Sequence, residues 1–209
     1  MSFDHNDHYH RVLLRAVPQG CRRALDVGCG TGRFARKLAG LGIEVDAFDS
    51  DPGVIEFAKA ETACTVGEAS SLNFRVVDVG SVDLPEEQYD FISCLASLHH
   101  MPFDTVQKLR GALTPGGVLV ILGCYPERSR ADWAWSLAAV PFNTVARLAT
   151  AVLDKVRPSR NGVSIVDAPV QQPTMSYDEI RVKASILLPG STMRRLIFWR
   201  YLLTYRRPR

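Results

Sequence analysis

The chain has 209 residues, 46% of them hydrophobic, which is enough for one α/β domain with a full core. Its formal net charge of +3 is too small to indicate a polyanionic partner such as a nucleic acid. The five cysteines include no C-x-x-C pair and no zinc-ligand spacing with histidine, so we expect reduced thiols, a cytoplasmic location and no bound metal.

The N-terminal segment is polar and rich in histidine, and it lacks the apolar core of a signal peptide. A helix is predicted over residues 9–17. His8 and His10 alternate as metal ligands can, but no set of carboxylates or cysteines accompanies them. Solvated side chains at the start of a helix are one interpretation of these histidines, and a helix that folds over a ligand is the other.

The most informative stretch is residues 24–34, where an apolar strand leads directly into a glycine-rich turn and then a helix. Glycines at alternate positions remove Cβ atoms from one side of the turn, so a ligand can lie against the backbone. The amides at the start of the next helix, predicted over 33–39, favour an anionic group in the same space. Dinucleotide-binding turns have the pattern G-x-G-x-x-G, but Arg33 stands where the third glycine would be, which disfavours an NAD-dependent oxidoreductase.

The segment Asp26-Val27-Gly28-Cys29-Gly30-Thr31-Gly32 resembles the first motif of class I S-adenosylmethionine (SAM)-dependent methyltransferases. The resemblance covers about residues 21–125. It implies a Rossmann-like seven-stranded sheet, mostly parallel with the last strand antiparallel, and helices on both faces. It also implies SAM as the cofactor and S-adenosylhomocysteine as its product. The motif residues assigned to the cofactor are Asp26, Gly28, Cys29, Gly30 and Gly32.

Two further predicted strands end in acidic residues. Residues 43–48 alternate as a short strand would and end at Asp49, and Asp51-Pro52 begins the next helix. A carboxylate about 20 residues after the glycine turn is placed to accept both ribose hydroxyl protons. The resemblance gives this role to Asp49, with Ser50 beside it. The third strand, 73–77, ends at Asp78, which in the family receives the adenine amino group, while the next amide, that of Val79, meets the ring.

Each of these acids taken alone is more often an ordinary cap or surface residue. Asp26, Asp49 and Asp78 together follow or end successive strands, and open α/β sheets bind ligands at the carboxyl ends of their strands. We therefore interpret the three acids as parts of one site.

The fourth strand is predicted over 89–95, and in the family its end, here Cys94, faces the reactive methyl group. His99 and His100 follow it. A histidine with a pKa near 6.5 can take a proton at neutral pH, so both are candidate catalytic bases; the alternative is a structural hydrogen bond at a helix start. The resemblance further implies that the N-terminal helix covers the cofactor as a lid, with Tyr9 and His10 in contact with it.

Residues 113–121 form a turn and an apolar fifth strand, again as in the family. Residues 133–153 are long enough to cross a membrane, but a central Arg147 alone costs about 2.5–3.5 kcal/mol. We expect two helices here instead, divided at Pro141 and packed at the acceptor site. Three aromatic residues are candidate walls for an apolar or aromatic acceptor: Trp133, Trp135 and Phe142.

The last part of the chain begins with a capping box, Ser176 to Glu179, and a helix to about Leu188. Residues 192–198 and 200–205 predict an antiparallel pair of strands. Six arginines between Arg194 and Arg209 could indicate nucleic-acid binding. We favour solvated strand faces and a charged sheet edge, because the charge balance elsewhere is even.

The sequence therefore predicts a single methyltransferase domain over 1–209. Its parts are an N-terminal lid helix (1–20), a SAM-binding core (21–125), a helical acceptor-side insertion (126–190) and a C-terminal β-hairpin (191–209). The predicted acceptor is a small, apolar or aromatic molecule, with oxygen, nitrogen, carbon and sulfur all open as acceptor atoms. The alternatives are a SAM-binding regulatory or scaffold protein without catalysis and, less favoured, a nucleic-acid methyltransferase.

Overall fold

The structure is a computed structural model that describes residues 5–66, 71–126, 173–196 and 199–209. The predicted helices at 133–153 and the candidate walls Trp133, Trp135 and Phe142 lie outside these residues. Of the helices that are described, none combines the length and apolar character needed to cross a bilayer.

The described elements follow the predicted order closely. The helices are α1 (His5–Leu14), α2 (Arg33–Ala39), α3 (Pro52–Val66), α4 (Thr105–Ala112) and α5 (Tyr177–Leu187). The strands are β1 (Arg23–Val27), β2 (Glu44–Asp49), β3 (Leu72–Val76), β4 (Tyr89–Leu95), β5 (Leu113–Cys124), β6 (Thr192–Leu196) and β7 (Arg200–Arg206). A 3₁₀ turn, Leu98–His100, follows β4. Two elements differ in extent from the prediction: α1 lies nearer the N-terminus, and β5 continues three residues further.

The seven strands form one sheet in the order β3-β2-β1-β4-β5-β7-β6. Strands β1 to β5 are parallel, whereas β7 runs antiparallel to both β5 and β6. This is the predicted fold, and it is confirmed. Because β7 is antiparallel, its first residue, Arg200, pairs with Cys124 at the carboxyl end of β5. The carboxyl ends of the parallel strands and the start of β7 therefore share one edge, here called the site edge.

Apolar side chains cover both faces of the sheet, as a parallel sheet between two helical layers requires. Along β5, Leu119 and Ile121 belong to one core cluster, and Val118 and Val120 belong to the other. Helices α4 and α5 pack on the first cluster through Val106, Leu109, Ile180 and Ala184. Helices α1, α2 and α3 pack on the second through Leu13, Phe34, Leu38 and Ile55. Burial on both faces fixes the positions of the strand ends that form the site edge.

The start of α5 has the predicted capping box. Ser176 Oγ accepts a hydrogen bond from the Glu179 amide, and the Glu179 carboxylate accepts one from the Ser176 amide at 2.7 Å. These bonds satisfy two of the amides that a helix start leaves unpaired, so α5 begins at Tyr177.

Candidate functional site

The three glycines of the turn after β1 lie in different packing environments. All have positive φ angles, of 65°, 53° and 75° for Gly28, Gly30 and Gly32. A Cβ atom at Gly28 would overlap the Ser97 side chain, and one at Gly32 would overlap the Phe74 ring. A Cβ atom at Gly30 would meet nothing within 4 Å. The expectation that all three glycines leave one face bare is therefore corrected: Gly30 borders open space, and the other two permit close packing.

The amides of the turn are already bonded within the protein. The Gly28 and Cys29 amides donate to Phe48 O at 2.8 and 2.9 Å, and the Gly30 amide donates to Asp49 Oδ2 at 2.9 Å. These hydrogen bonds fix the turn to the end of β2. Because these amides already donate within the protein, we expect a ligand to occupy the open space at Gly30 and to bond to the nearby carboxylates.

Asp49 lies half-buried at the end of β2, directly beside the turn. Besides the bond from Gly30, its Oδ1 accepts one from the Asp51 amide at 3.1 Å. Each carboxylate oxygen has two acceptor lone pairs, so both can still accept a hydroxyl proton. Ser50 is exposed next to it. The structure therefore places Asp49 where a diol could bind, and its assignment to ribose stays a prediction.

Asp78 is exposed beyond the end of β3. Its Oδ1 accepts a bond from the Gly80 amide at 3.0 Å, and its Oδ2 accepts one from Ser81 Oγ at 2.6 Å. These bonds fix the carboxylate in a tight turn at the site edge. Val79 is buried in the core, so only its backbone is a candidate for contact with a ligand.

Asp26 is an acid within the protein interior, 1% exposed. Ser93 Oγ donates to its Oδ1 at 2.7 Å, whereas Oδ2 is buried without any hydrogen-bond partner among the described residues. Burial raises the pKa of this carboxyl to about 7; the Ser93 bond opposes the shift, the charge of Asp49 adds to it, and the nearby Ala35 amide lowers the pKa slightly. A half-satisfied buried carboxylate beside the glycine turn fits a cationic ligand group, which would supply the missing partner.

Asp26 predicts a pH dependence of folding stability. A folded-state pKa near 7, against an ordinary 3.8, gives stability that is greatest below pH 3.8 and is lost as the pH rises through 7. Between pH 5 and 8 we expect the ligand-free wild type to lose about 2.5 kcal/mol of unfolding free energy relative to Asp26→Asn. Urea unfolding of both proteins at the two pH values measures this. The exposed Asp83→Asn is the control, and parallel behaviour of wild type and Asp26→Asn would refute the assignment.

Tyr9 and His10 are buried where α1 packs on α2, so the interpretation of His10 as a solvated side chain is wrong. His10 Nδ1 lies 2.7 Å from Lys37 Nζ, and its ring centroid lies 5.0 Å from that of Phe34. Helix α1 is therefore anchored on the helix that follows the glycine turn. Its function as a lid, with Tyr9 and His10 touching the cofactor, stays a prediction.

Cys94 is 0% exposed and lies in the core, so only its backbone is a candidate for contact with a ligand. Its thiol lies 3.1 Å from Ser97 Oγ, and burial raises its pKa to about 12. Ser97 Oγ also donates to Val27 O at 2.7 Å, so Ser97 joins the end of β4 to the end of β1. Cys29 is half-buried in the turn itself, and burial raises the pKa of its thiol too. Sequence analysis singled out Cys94 and missed Ser97, because only tertiary structure brings Ser97 against Gly28.

His99 follows two residues after Ser97, so its Cα lies within about 7 Å of that of Ser97. Ala96, with a φ of 53°, turns the chain at this point. His99 Nδ1 is buried and has no hydrogen-bond partner among the described residues. Burial, with smaller effects from His100 and Arg200, lowers the pKa of His99 to about 4, so its ring is neutral at pH 7. His100 is exposed, with its ring 4.1 Å from that of His99.

A small cavity of about 50 Å³ lies at the site edge. Its polar lining includes His99, Cys124 and Tyr201. Its apolar lining is Leu98, Met101, Phe103, Pro173, Met175 and Ile180. Convergent polar groups on apolar walls are typical of small-molecule sites. No local sequence pattern marks Cys124 and Tyr201 as site residues, because the pairing of β5 with β7 brings them to this edge.

A larger cavity of about 520 Å³ lies elsewhere, between α4, α5 and the end of β7. Arg207, which lines it, bonds to Gly117 near the start of β5, so this cavity is at the opposite edge of the sheet. It is therefore remote from the glycine turn. The described parts of the chain contain no cluster of three or more histidine, cysteine or acidic residues suited to a metal ion.

Comparisons with known proteins show the family to which the chain belongs. Residues 25–121 match the family model described as a methyltransferase domain. An uncharacterized methyltransferase of Mycobacterium bovis is 31% identical over 207 residues, which are 97% of this chain and 96% of the relative. The solved (4+2)-cyclase SpnF is 28% identical with a TM-score of 0.52, over 59% of this chain and 46% of that one. Magnesium protoporphyrin IX methyltransferase from Synechocystis PCC 6803, solved with SAM, is 16% identical with a TM-score of 0.60, over 97% and 77%. The chain therefore belongs to the class I SAM-dependent methyltransferases.

Proposed function

We propose that this methyltransferase transfers the methyl group of SAM to a small, partly apolar molecule that binds against His99, with S-adenosylhomocysteine as the product. The observation that carries the proposal is the Nδ1 of His99, which is buried without a hydrogen-bond partner in the described part of the chain, beside a cavity with apolar walls. That cavity lies close to the glycine turn, because His99 follows Ser97, which packs against Gly28.

The cofactor fits the residues around the turn. Because Gly30 has no Cβ atom, the open space beside it can hold part of the cofactor. Asp26 Oδ2, which has no hydrogen-bond partner among the described residues, could accept hydrogen bonds from the ammonium group of SAM. Asp49 would accept the ribose hydroxyl protons, and Asp78 the adenine amino protons, next to the Val79 amide. The remaining proposed cofactor residues are Tyr9, His10, Gly28, Cys29, Gly32, Ser50 and Cys94.

When bound, SAM supplies a methyl group that its sulfonium has already activated. The protein then has to orient the acceptor and exclude water. His99 is neutral near pH 7, so its Nδ1 can accept a hydrogen bond from an acceptor O–H or N–H. A pKa of about 4 makes it a weak base, so we assign it mainly to orientation of the acceptor. The exposed His100 is the less suitable of the two histidines.

The experiment that tests the function has two stages. Calorimetry measures SAM binding, and mass spectrometry then follows S-adenosylhomocysteine formation with pools of small phenols, carboxylic acids, amines and thiols. Product formation with one pool supports methyl transfer and identifies the acceptor class. Absence of SAM binding would contradict the proposal.

A second candidate function is SAM binding without methyl transfer. The similarity to SpnF favours it, because that protein of related fold is a cyclase. SAM binding without product in any pool would favour this candidate.

Once an acceptor is identified, His99→Ala is expected to lower kcat about 100-fold while leaving SAM affinity nearly unchanged. His99→Asn should recover part of the rate, because the asparagine oxygen can accept a hydrogen bond from nearly the position of Nδ1. The wild-type contribution of His99 should be constant from pH 6 to 8 and be lost only as the pH falls toward 4. His100→Ala is the matched control. A normal rate in His99→Ala would show that His99 is structural.

A further inference from the structure

Arg200 occupies an unusual position at the site edge. It is the first residue of β7 and directly follows Trp199. The φ angle of Trp199 is 55°, a backbone conformation that residues other than glycine rarely adopt. The Tyr125 amide donates to Trp199 O at 3.2 Å and ties this turn to the end of β5. Arg200 pairs with Cys124, and its guanidinium Nη1 contacts the Cys124 thiol. Because Cys124 lines the small cavity, the guanidinium lies at the cavity wall.

The charge of Arg200 has no counter-ion among the described residues. Its Nε is buried without a hydrogen-bond partner, and no carboxylate of the described residues pairs with it. Burial raises the pKa of the Cys124 thiol, although Arg200 opposes the shift, so this thiol is not the missing anion at neutral pH. A partly buried cation without a partner is costly, and such a cost is removed when an anion binds.

Other partly buried arginines of this protein show the contrast. Arg23 contacts Asp46 at 3.3 Å, Arg36 contacts Glu61 at 2.9 Å, and Arg207 contacts Glu87 at 2.6 Å. These three guanidinium groups are each neutralised by a carboxylate of the protein. Arg110 is also half-buried and has no carboxylate partner among the described residues, but it donates to the Leu187 carbonyl at 3.2 Å. Arg200 lies at the site edge and has neither a carboxylate nor an oxygen acceptor among the described residues.

The cavity beside Arg200 is complementary to a small organic acid. Among the residues that the structure describes, its polar lining is His99, Thr174, Cys124 and Tyr201, with no acidic residue, and the rest is apolar. The Tyr201 ring packs directly on the Gly123 backbone, and a Cβ atom at position 123 would overlap the ring. The absence of a side chain at Gly123 therefore allows the Tyr201 phenol to reach the cavity. At about 50 Å³ the space admits one end of a ligand, such as a carboxylate with its nearest carbons.

We propose that Arg200 is a specificity-determining residue and that the methyl acceptor carries an anionic oxygen group, such as a carboxylate, attached to an apolar body. This inference rests on the proposed function, because it assigns the cavity to the acceptor. Arg200 binds the anionic group, and the apolar walls bind the rest of the molecule. The anion would also offset the positive charge that helps to lower the pKa of His99.

The test uses benzoate and the neutral isostere benzamide as probes, with the whole 209-residue chain in the presence and absence of S-adenosylhomocysteine. We expect ligand-observed NMR to show benzoate binding at least about tenfold more tightly than benzamide. Arg200→Gln should abolish this preference, and Arg200→Lys should keep part of it. Arg194→Gln, which removes an exposed cation from the neighbouring strand β6, should have no effect. In the wild type, benzoate should also raise the pKa of His99, which an NMR titration of the His99 ring protons measures.

Equal binding of the two probes, or binding of neither, would overturn the proposal, as would an unchanged preference in folded Arg200→Gln. Competition by inorganic phosphate that fully replaces benzoate would indicate a site for inorganic anions only and would also overturn it. If Arg200→Gln does not fold, the comparison of the two probes on the wild type remains decisive. Failure of SAM to bind is measured separately, so it would refute the proposed function without being confused with this result.

Discussion

Replacing Gly30 by valine is expected to abolish SAM binding. Gly30 is the glycine of the turn whose Cβ would enter open space, and that space is the proposed position of the cofactor. A branched side chain there would occupy the volume that the ligand needs. Calorimetry with SAM and with S-adenosylhomocysteine should detect no binding at concentrations that saturate the wild type.

Gly42→Val is the matched control for this variant. Gly42 also has a positive φ, of 79°, and open space around its Cβ position, but it lies before β2, remote from the site edge. Both substitutions therefore strain the backbone at a positive φ, and at both positions the new side chain has room within the protein. Loss of binding in Gly30→Val together with retention in Gly42→Val separates ligand exclusion from strain. Wild-type affinity in Gly30→Val would place the cofactor elsewhere.

Replacing Asp49 by alanine is expected to weaken SAM binding by about 1.5–3 kcal/mol, or about 10- to 150-fold. The variant removes the acceptor for the ribose hydroxyl groups. It also removes the bond from Asp49 to the Gly30 amide, so the glycine turn becomes less fixed. Calorimetry at constant salt and pH measures the change. Asp49→Asn should give an intermediate loss, because its single amide oxygen still accepts hydrogen bonds.

Asp51→Ala provides the comparison for Asp49→Ala. Asp51 also carries a carboxylate just after β2, but its Oδ1 accepts bonds from the Gly53 and Val54 amides at the start of α3. Its loss should cost about 1 kcal/mol of stability with little effect on SAM affinity. If Asp49→Ala changes affinity no more than Asp51→Ala does, the ribose binds elsewhere.

The sequence alone predicted most of the helices and strands, because their signals are local, whereas the arrangement of the seven-stranded sheet was implied by the resemblance to the methyltransferase family. The alternation and length of residues 89–95 predicted β4 with its observed limits, and the capping box at Ser176 predicted the start of α5. The glycine turn after an apolar strand, followed by acids at the ends of the next strands, identified the family. These patterns depend on neighbours a few residues apart, and their backbone preferences can be read in order along the chain.

Only the tertiary structure decided what each site residue contacts. Asp26 meets Ser93 across 67 residues, Ser97 meets Val27 across 70, and Arg200 meets Cys124 across 76. No local pattern distinguishes Ser97 from any other serine, or Arg200 from the other arginines near the C-terminus. The sheet order places β4 beside β1 and β7 beside β5, and burial then determines which polar atoms find partners. The unpartnered atoms of Asp26, His99 and Arg200 follow from that packing, and they are the basis of the proposed cofactor and acceptor sites.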